Sequence, residues 1–335
     1  MKISASIYSD KKRSINEIIE TLNEHDIDMF HVDCNDDEKV FEDIAAIRAL
    51  SNRPIDLHII SSTPEKYFDA IEKYKVDTVA FQFENFRNKI NFPIFSSTKI
   101  GLAIVADTAI SAFDAYADAC DFILLMTTTP GKSGGSFNTN TFRKIRAFKK
   151  EFPLKKIHVD GGVNNEVSFI LRDLGVFASV SGSYLMQHKN IGSALLKLKS
   201  ENASSDFLIK DFMMTADELP ILNIEKTNFA EAVHNMEDYK MGFVLFKNAA
   251  NKMAGISSNA DLRRGILKNI NQLDKISLND IINSNPVSIK ENKTTAEMLV
   301  MIKSLPFAIL FLPVVNDNNE ITGAVTFNNL IKGEA

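Results

Sequence analysis

The sequence contains few cysteines and no long basic run. Only Cys34 and Cys120 occur among its 335 residues, which argues against a disulfide scaffold and fits a reducing cytoplasm. The formal net charge is -5, so we do not expect nucleic acid as a partner. Glycine and proline are not enriched, and 45% of the residues are hydrophobic. The composition is therefore that of a folded globular chain and not of a disordered one.

Long apolar runs are also scarce. The first residues, MKISASIYSD, reach polar side chains too early for a signal peptide, and we expect a cytoplasmic protein. The longest apolar stretch, Met298 to Val315, contains Lys303, Pro306 and Pro313. We interpret it as a buried helix followed by a buried strand, so no membrane partner is expected.

Residues 1–200 alternate between short apolar runs and amphipathic stretches. The apolar runs predict strands at 2–7, 28–33, 54–60, 77–83, 98–105, 121–126, 155–160 and 177–182. Helical spacing of apolar residues marks most of the intervening stretches, and it is weakest between Gln82 and Lys99. Eight strands with crossovers of this length predict a (β/α)8 barrel, with an open doubly wound sheet as the alternative. We prefer the barrel because polar residues cluster at the C-terminal ends of so many strands.

The composition changes after residue 200. Residues 201–206 are small and polar, which predicts a linker. An internal repeat follows, because KMAGISSNADL (252–262) resembles EITGAVTFNNL (320–330), and an amphipathic helix and an apolar strand precede each copy. We expect the copies, at about 207–270 and 275–335, to pack as a pair, since one copy alone buries little core.

Four side chains able to bind a metal fall at C-terminal ends of predicted strands. Residues i and i+2 of a strand project to the same face, so His31 and Asp33 point together. His58 ends the third strand and Asp160 the seventh, and in a barrel these ends form the active-site face. Two imidazoles and two carboxylates suit Zn²⁺, Fe²⁺ or Mn²⁺. Each histidine could instead be a hydrogen-bonded core residue, and spacing alone leaves both interpretations open.

Small residues follow the sixth, seventh and eighth predicted strands. Glycine lets backbone N–H groups approach phosphate oxygens, and these loops are where such barrels hold phosphate. A single glycine-rich loop is usually only a turn, whereas three at neighbouring strand ends favour phosphate binding. The residues concerned are Gly134, Gly135, Ser136, Gly161, Gly162, Gly182 and Ser183.

Residues 1–200 resemble ribulose-phosphate 3-epimerase along nearly their whole length. The matching stretches, in order, are KISASIYS, FHVDCND, DLHII, LLMTTTPGKSGGSF, VDGGVN and VSGSYL. The resemblance implies His31, Asp33, His58 and Asp160 as ligands of one divalent metal ion. It also implies epimerisation at C3 of a phosphorylated ketose, of the ribulose 5-phosphate/xylulose 5-phosphate type, through an enediolate. Asp33 and Asp160 would then act as the acid/base pair.

The resemblance bears on three further residues. Ser6 matches a serine that contacts the substrate, and Met126 is the one retained methionine of three near the metal. His158 repeats the His-Val-Asp tripeptide of strand two, but the family has a non-ligand residue at its place. We therefore interpret the repetition as meaningful at the aspartates and accidental at the histidines, with His158 at most a contact behind a ligand.

Several positions depart from the family pattern. Cys34 and Ile60 stand in place of methionines, Gln82 in place of a histidine, and Lys132 and Ser133 in place of an apolar residue and a glycine. The residues around the site thus depart from the family pattern, whereas the four matched metal-binding and acid/base residues do not. The resemblance therefore supports a ketose-phosphate 3-epimerase more firmly than one particular sugar substrate. An epimerase of another ketose phosphate, such as allulose 6-phosphate for surface polysaccharide, is the alternative. A decarboxylase or aldolase of this superfamily would have Asp-x-Lys on a strand, and VDCNDD lacks that lysine.

Residues 206–335 resemble a tandem pair of CBS domains, of the kind appended to sugar-phosphate isomerases. The matching stretches are IKDFMMTADELPILN, GISSNADLRRGI and LNDIINSNPVSI. Such pairs bind adenine or other nucleotides, and the family motif falls on Gly255, Ser258 and Asp261. The second copy keeps Thr326 but has Asn329 in place of Asp, which implies one nucleotide pocket.

Two alternatives to nucleotide regulation remain open for this part of the chain. The pair could serve only in dimerisation, or an inactive barrel could leave a sensor or scaffold protein. We expect a homo-oligomer.

Overall fold

The computed structural model describes residues 1–132, 134–200 and 206–327. Within them the chain forms two compact units, residues 1–200 and residues 206–327. The predicted linker lies outside the described residues except for Asp206, and so do Ser133 and Asn329.

The first unit is a closed barrel of eight parallel strands in chain order, which confirms the predicted fold class. Pairing of Lys2 with Ala178 begins the ladder between the first and last strands that closes the barrel. Each strand agrees with its predicted apolar run to within one residue at either end. The strands are β1 Lys2–Ser6, β2 Met29–Cys34, β3 Ile55–Ile59, β4 Thr78–Gln82, β5 Lys99–Ile104, β6 Phe122–Met126, β7 Lys156–Asp160 and β8 Ala178–Ser181.

Helices connect most of these strands. They are α1 Ile15–Glu24, α2 Val40–Leu50, α3 Phe68–Lys73, α4 Asn140–Glu151, α5 Asn165–Asp173, α6 Ser183–Met186 and α7 Ile191–Lys199. The first helix begins with a capping box, in which Ser14 and Glu17 satisfy each other's backbone N–H groups. After β4 and β5 the chain instead forms 3-10 helices, Phe83–Asn85 and Ile110–Tyr116. The first of them agrees with the weak helical pattern after β4.

The barrel interior has an apolar half and a polar half. Strands β4 to β6 contribute an apolar cluster of Ala80, Ala103, Phe122, Leu124 and Met126. Strands β1 to β3 and β7 contribute the buried polar residues Ser4, His31, Asp56, His58 and His158. Ser4, His31, Asp56 and His58 are hydrogen-bonded to other buried side chains, as retained buried polar groups usually are. The polar half is therefore the part of the barrel suited to a chemical site.

The second unit contains two short sheets. Its strands are β9 Met214–Thr215, β10 Ile221–Asn223, β11 Phe243–Lys247, β12 Met253–Ser258, β13 Ile289–Lys290, β14 Phe311–Val315 and β15 Ile321–Thr326. Its helices are α8 Ile209–Phe212, α9 Phe229–Tyr239, α10 Asn259–Lys268 and α11 Thr295–Ser304.

These elements repeat the same topology twice. In the first copy β10 pairs in parallel with β11, which pairs antiparallel with β12. In the second copy β13, β14 and β15 pair in the same way. Both antiparallel pairs shift register at the same point, between Phe246 and Lys247 and between Val314 and Val315. The structure therefore confirms the internal repeat.

The apolar stretch from Met298 to Val315 is divided between α11 and β14, as predicted. The expectation that its helix is buried was wrong in part, because Val300 is 70% exposed and only one face of α11 packs against its unit. Within the described ranges, no helix combines the length and apolarity that crossing a membrane requires.

Candidate functional site

His31, Asp33, His58 and Asp160 converge at the C-terminal ends of β2, β3 and β7. One ligand atom from each residue lies within 4.8 Å of the corresponding atoms of the other three. Alternation along β2 points His31 and Asp33 inward together, and the β2–β3 register places Asp33 beside His58. Asp160 comes from β7, so the barrel joins residues that are far apart in sequence.

A buried carboxylate fixes the orientation of His31. The Nδ1 atom of His31 lies 2.9 Å from an Asp56 oxygen that also accepts from the Ser4 hydroxyl at 2.9 Å. A carboxylate only accepts, so Nδ1 of His31 carries a proton. The other ring nitrogen, Nε2, lies 3.3 Å from Asp33 and 3.8 Å from Asp160. It is therefore the nitrogen that faces the cluster.

His58 presents its other ring nitrogen to the cluster. Its Nε2 lies 2.8 Å from the Gln82 side-chain oxygen, and its Nδ1 lies 3.2 Å from Asp33 Oδ1. Both rings are almost completely buried, so their hydrogen bonds are protected from competition by water.

The two carboxylates of the cluster differ in their affinity for protons. Burial raises the pKa of Asp160 to about 6, and the negative charge of Asp33 adds to that effect. Burial acts on Asp33 in the same direction, but the charge of His31 and its hydrogen bond to Asp33 hold the pKa of Asp33 well below the usual range. Environments that push two pKa values apart are typical of acid/base pairs.

The residues present fit a divalent metal ion. Two imidazole nitrogens and two carboxylate oxygens are the donor set that zinc and related ions take. Each histidine already has a partner on its far side, which is how metal-binding histidines are held. The carboxylates of Asp33 and Asp56 raise the pKa of His31 despite its burial, so a metal ion binding at its Nε2 would displace a proton.

A cavity of about 370 Å³ reaches the cluster. The predicted site residues that line it are Ser6, Asp33, Gly134, Asp160, Gly161, Gly162, Gly182 and Ser183. Positive φ angles of 111° and 62° at Gly161 and Gly162 explain why glycine is needed after β7. The cavity is also lined by Tyr8, Ser9, Lys11, Thr128 and Lys132, which were not predicted as site residues.

Three of the predicted substrate residues lie outside this lining. Met126 is only 2% exposed and packs in the apolar cluster of the barrel. Gly135 and Ser136 are exposed residues of the same loop as Gly134. The loop thus reaches the cavity through only part of its length.

Asp56 and Gln82 support the cluster and were missed as functional residues. Asp56 stands two residues before His58 on β3, so its inward direction was readable from strand alternation. Gln82 was noted only as a departure from a family pattern. Its role depends on the contact between β3 and β4, which no local sequence pattern carries.

His158 makes no hydrogen bond to the four clustered residues in the part of the chain that the structure describes. Its ring stacks on Phe122, with centroids 4.1 Å apart, and on Phe177 at 5.6 Å. Burial lowers its pKa to about 4, which keeps the ring neutral. These contacts agree with its interpretation as a residue that does not bind the metal.

The second unit has a separate pocket of about 680 Å³. Ser258, Asp261, Arg263 and Arg264 are among the residues that line it. Thr326 does not line the pocket, but its β15 position pairs with Phe311, which does.

The barrel and its cluster define the class of this protein, a (β/α)8-barrel protein with a two-histidine, two-aspartate candidate metal centre. The chain belongs to the ribulose-phosphate 3 epimerase family, whose model matches residues 2–186. A CBS domain model matches residues 278–334. Together with the internal repeat, this match identifies the second unit as a pair of CBS domains.

Curated relatives of the barrel come from bacteria, archaea and plants. The ribulose-phosphate 3-epimerase of Bacillus subtilis (strain 168) is 24% identical over 213 residues, which cover 59% of this chain and 98% of the relative. That of Methanocaldococcus jannaschii is 28% identical over 230 residues, covering 63% and 97%. The chloroplastic enzyme of Arabidopsis thaliana is 25% identical over 213 residues, covering 59% and 76%.

Solved structures similar to this chain include CBS-pair proteins. CBSX2 from Arabidopsis thaliana is 17% identical with a TM-score of 0.32, over 38% of this chain and 94% of that chain. CbpB in complex with c-di-AMP is 18% identical with a TM-score of 0.31, over 38% and 84%.

Proposed function

We propose that this protein is a metal-dependent ketose-phosphate 3-epimerase that interconverts pentuloses of the ribulose 5-phosphate/xylulose 5-phosphate type. The observation that carries the proposal is the convergence of Asp33 and Asp160 with His31 and His58 at one end of a 370 Å³ cavity. Membership of the family and the names of its curated relatives support the same chemistry.

The chemistry requires removal of a carbon-bound proton and its return to the opposite face. Asp33 is held ionised and can accept the C3 proton, whereas Asp160 retains a proton to higher pH and can donate one. The roles exchange in the reverse reaction. His31, Asp33, His58 and Asp160 would hold a divalent ion, which would supply positive charge to stabilise the enediolate oxygens.

The cavity suits a small phosphorylated sugar. Ligand sites of about 300–1,000 Å³ are usual for small molecules, and this one lies at the lower limit. We propose that backbone N–H groups at Gly161, Gly162, Gly182 and Ser183 bind the phosphate, with Ser6 contacting the sugar. Gly134 lines the cavity and Gly135 and Ser136 follow it in the same loop, whereas Met126 packs in the apolar cluster of the barrel.

A second candidate is epimerisation of another ketose phosphate, such as allulose 6-phosphate. The observation that favours it is the presence of Lys132, a departure from the family pattern, in the lining of the cavity. A comparison of kcat/KM over pentulose and hexulose phosphates distinguishes the two substrates, because only the true substrate approaches the efficiency usual for metabolic enzymes.

We also propose that the CBS pair, at 207–335, binds a nucleotide that regulates the barrel, at 1–200. Ser258 and Asp261, with Thr326 nearby, are the proposed contacts, and Arg263 and Arg264 supply positive charge in the same pocket. Thermal unfolding of the full chain with AMP, ATP and other nucleotides tests this. A stabilised transition is expected, and no shift with any nucleotide supports a role in dimerisation alone.

The metal and the acid/base pair are tested together. The purified protein is expected to hold about one divalent ion per chain and to interconvert ketose phosphates, and the Asp160→Asn variant is expected to lose turnover. Protein without metal, together with an Asp160→Asn variant of unchanged turnover, would contradict the proposal. Carbon dioxide release or carbon–carbon cleavage would favour the decarboxylase or aldolase alternative.

A further inference from the structure

A line of hydrogen bonds lies behind His58 and runs from the buried Gln82 to the exposed Glu84. The Nε2 atom of His58 is 2.8 Å from the side-chain oxygen of Gln82. The amide nitrogen of Gln82 donates to a carboxylate oxygen of Glu84 and lies 3.4 Å from the carbonyl oxygen of Ala103. Because Gln82 is 1% exposed, its amide depends on these partners and not on bulk water.

The partners of Gln82 determine which way its amide points. The Glu84 carboxylate and the Ala103 carbonyl can only accept hydrogen bonds, so the NH₂ end of Gln82 must face them. Its oxygen is then left facing His58, and that oxygen can only accept. The hydrogen bond between the two side chains therefore requires a proton on Nε2 of His58.

Glu84 is itself held in place by the end of β5. Its Oε1 atom accepts from the backbone N–H of Val105 at 2.9 Å and from the Thr108 hydroxyl. The residues that follow β5 thus fix the position of the Glu84 carboxylate. Glu84 orients the amide of Gln82, and Gln82 in turn determines which nitrogen of His58 carries the proton.

The consequence appears on the other side of the His58 ring. With its proton on Nε2, a neutral His58 presents a lone pair at Nδ1, which lies 3.2 Å from an oxygen of Asp33. Two acceptors at that distance repel each other unless a cation lies between them. The arrangement therefore prepares Nδ1 for a metal ion.

We propose that Gln82 and Glu84 are positioning residues that select the Nε2-protonated form of His58, so that Nδ1 is free to bind the metal ion. This inference rests on the proposed metal-dependent function. It makes the two histidines unequal, since His31 is supported by the carboxylate of Asp56 and His58 by a neutral amide. Such outer partners set the orientation and basicity of metal ligands.

The decisive variant is Gln82→Leu, which keeps a buried side chain of similar size but removes the acceptor. We expect a 10- to 100-fold loss of Zn²⁺ affinity in competition with a chelator, the range usual for lost outer partners. In the metal-free protein, ¹⁵N NMR of the imidazole nitrogens should change from Nε2-protonated His58 to a mixture of the two forms. The matched control is His158→Leu, another buried polar residue of the barrel interior, which should change neither readout.

A second variant guards against misfolding of the first. Glu84→Gln keeps the shape but gives Gln82 a partner that can both donate and accept, so a smaller loss of Zn²⁺ affinity is expected. In the double variant with Gln82→Leu the two losses should not add, because both act through the same atom of His58. Additive losses of Zn²⁺ affinity would contradict the proposal that Glu84 acts on His58 through Gln82.

The outcomes separate this inference from the proposed function. If the wild type binds Zn²⁺ and Gln82→Leu binds it within about twofold with unchanged His58 signals, the positioning role is wrong. If the wild type binds no divalent ion, the proposed function fails instead. The protonation state of His58 in the metal-free protein still tests the role of Gln82 in that case.

Discussion

The two units of this protein assemble their candidate sites in opposite ways. In the barrel, His31, His58 and Asp160 come from three separate strands, and each directs a ligand atom at the same point. In the CBS pair, Ser258 and Asp261 are three residues apart and bind each other, with 2.5 Å between the Ser258 hydroxyl and the Asp261 carboxylate.

The difference shows how strongly each arrangement of residues supports a functional role. Ser258 and Asp261 form a capping box at the start of α10, which stabilises a helix whether or not a ligand is present. Convergence of two imidazoles and two carboxylates inside a barrel has no comparable local benefit, because buried charges are costly without partners. The barrel site therefore supports a functional conclusion more strongly than the motif of the CBS pair does.

The largest expected effect lies in the barrel. Asp160→Asn removes the proposed proton donor and acceptor, so kcat should fall by about 10²–10⁴-fold, measured with the preferred ketose phosphate. Asp173→Asn is the matched control, since Asp173 is a buried aspartate of α5 outside the cluster. If Asp160→Asn and the wild type had equal kcat values, the barrel site would no longer have stronger support for a function than the motif of the CBS pair.

The support behind His31 gives the next largest effect. Asp56→Asn replaces a charged acceptor with a neutral one, and we expect Zn²⁺ affinity to fall by about 10- to 100-fold. Thr78→Val removes only a hydroxyl donor to the far oxygen of Asp56, so it should have a smaller effect. Chelator competition measures both. Equal losses would indicate that general disturbance of the barrel, and not the charge on Asp56, controls the site.

The pH dependence of stability tests the burial of Asp173, an aspartate that lies outside the four-residue cluster. Burial raises the pKa of Asp173 to about 8, so the folded state keeps a proton that the unfolded state loses near pH 4. The folded protein therefore binds more protons between about pH 4 and 8, and its free energy of unfolding should decrease as pH rises through that window. Denaturation at pH 5 and pH 8 should show a smaller decrease in Asp173→Asn, and an unchanged decrease would contradict this assignment.

The smallest effect concerns the motif of the CBS pair. Ser258→Ala should lower the free energy of unfolding of the second unit by about 1 kcal/mol, because α10 loses its cap. Asn228→Ala removes the equivalent cap of α9, a residue outside the pocket lining, and should cost a similar amount. Only Ser258→Ala should also reduce stabilisation by nucleotide in thermal unfolding. If both variants keep that stabilisation, Ser258 is a cap and not a ligand contact.

The sequence was sufficient to predict the eight strands and the inward direction of the four clustered residues. Apolar runs mark buried parallel strands, and alternation along β2 decides where His31 and Asp33 point. The supports behind them were not predicted, because Gln82 meets His58 only through the packing of β4 beside β3. The position of Lys132 in the cavity lining depends on the path of a loop, which periodicity does not determine.

The half-exposed α11 illustrates a further limit. Its apolar composition predicted burial, yet Val300 lies on an exposed face. Composition records how apolar a helix is, whereas burial depends on how many neighbours surround it. The same reasoning explains why the apolar run of β14 was predicted correctly, since strands on both sides cover it.

The most direct test of the account is proton exchange at C3 of a ketose phosphate in deuterated solvent. The metal-loaded protein should incorporate deuterium at C3 of ribulose 5-phosphate or a related ketose phosphate, observed by NMR, and Asp160→Asn should incorporate far less into the opposite epimer. Exchange detects removal of the C3 proton even when substrate and product are at equilibrium and no net conversion is observed. Absence of exchange across pentulose and hexulose phosphates, with the metal site filled, would contradict the proposal that Asp33 and Asp160 form a catalytic pair.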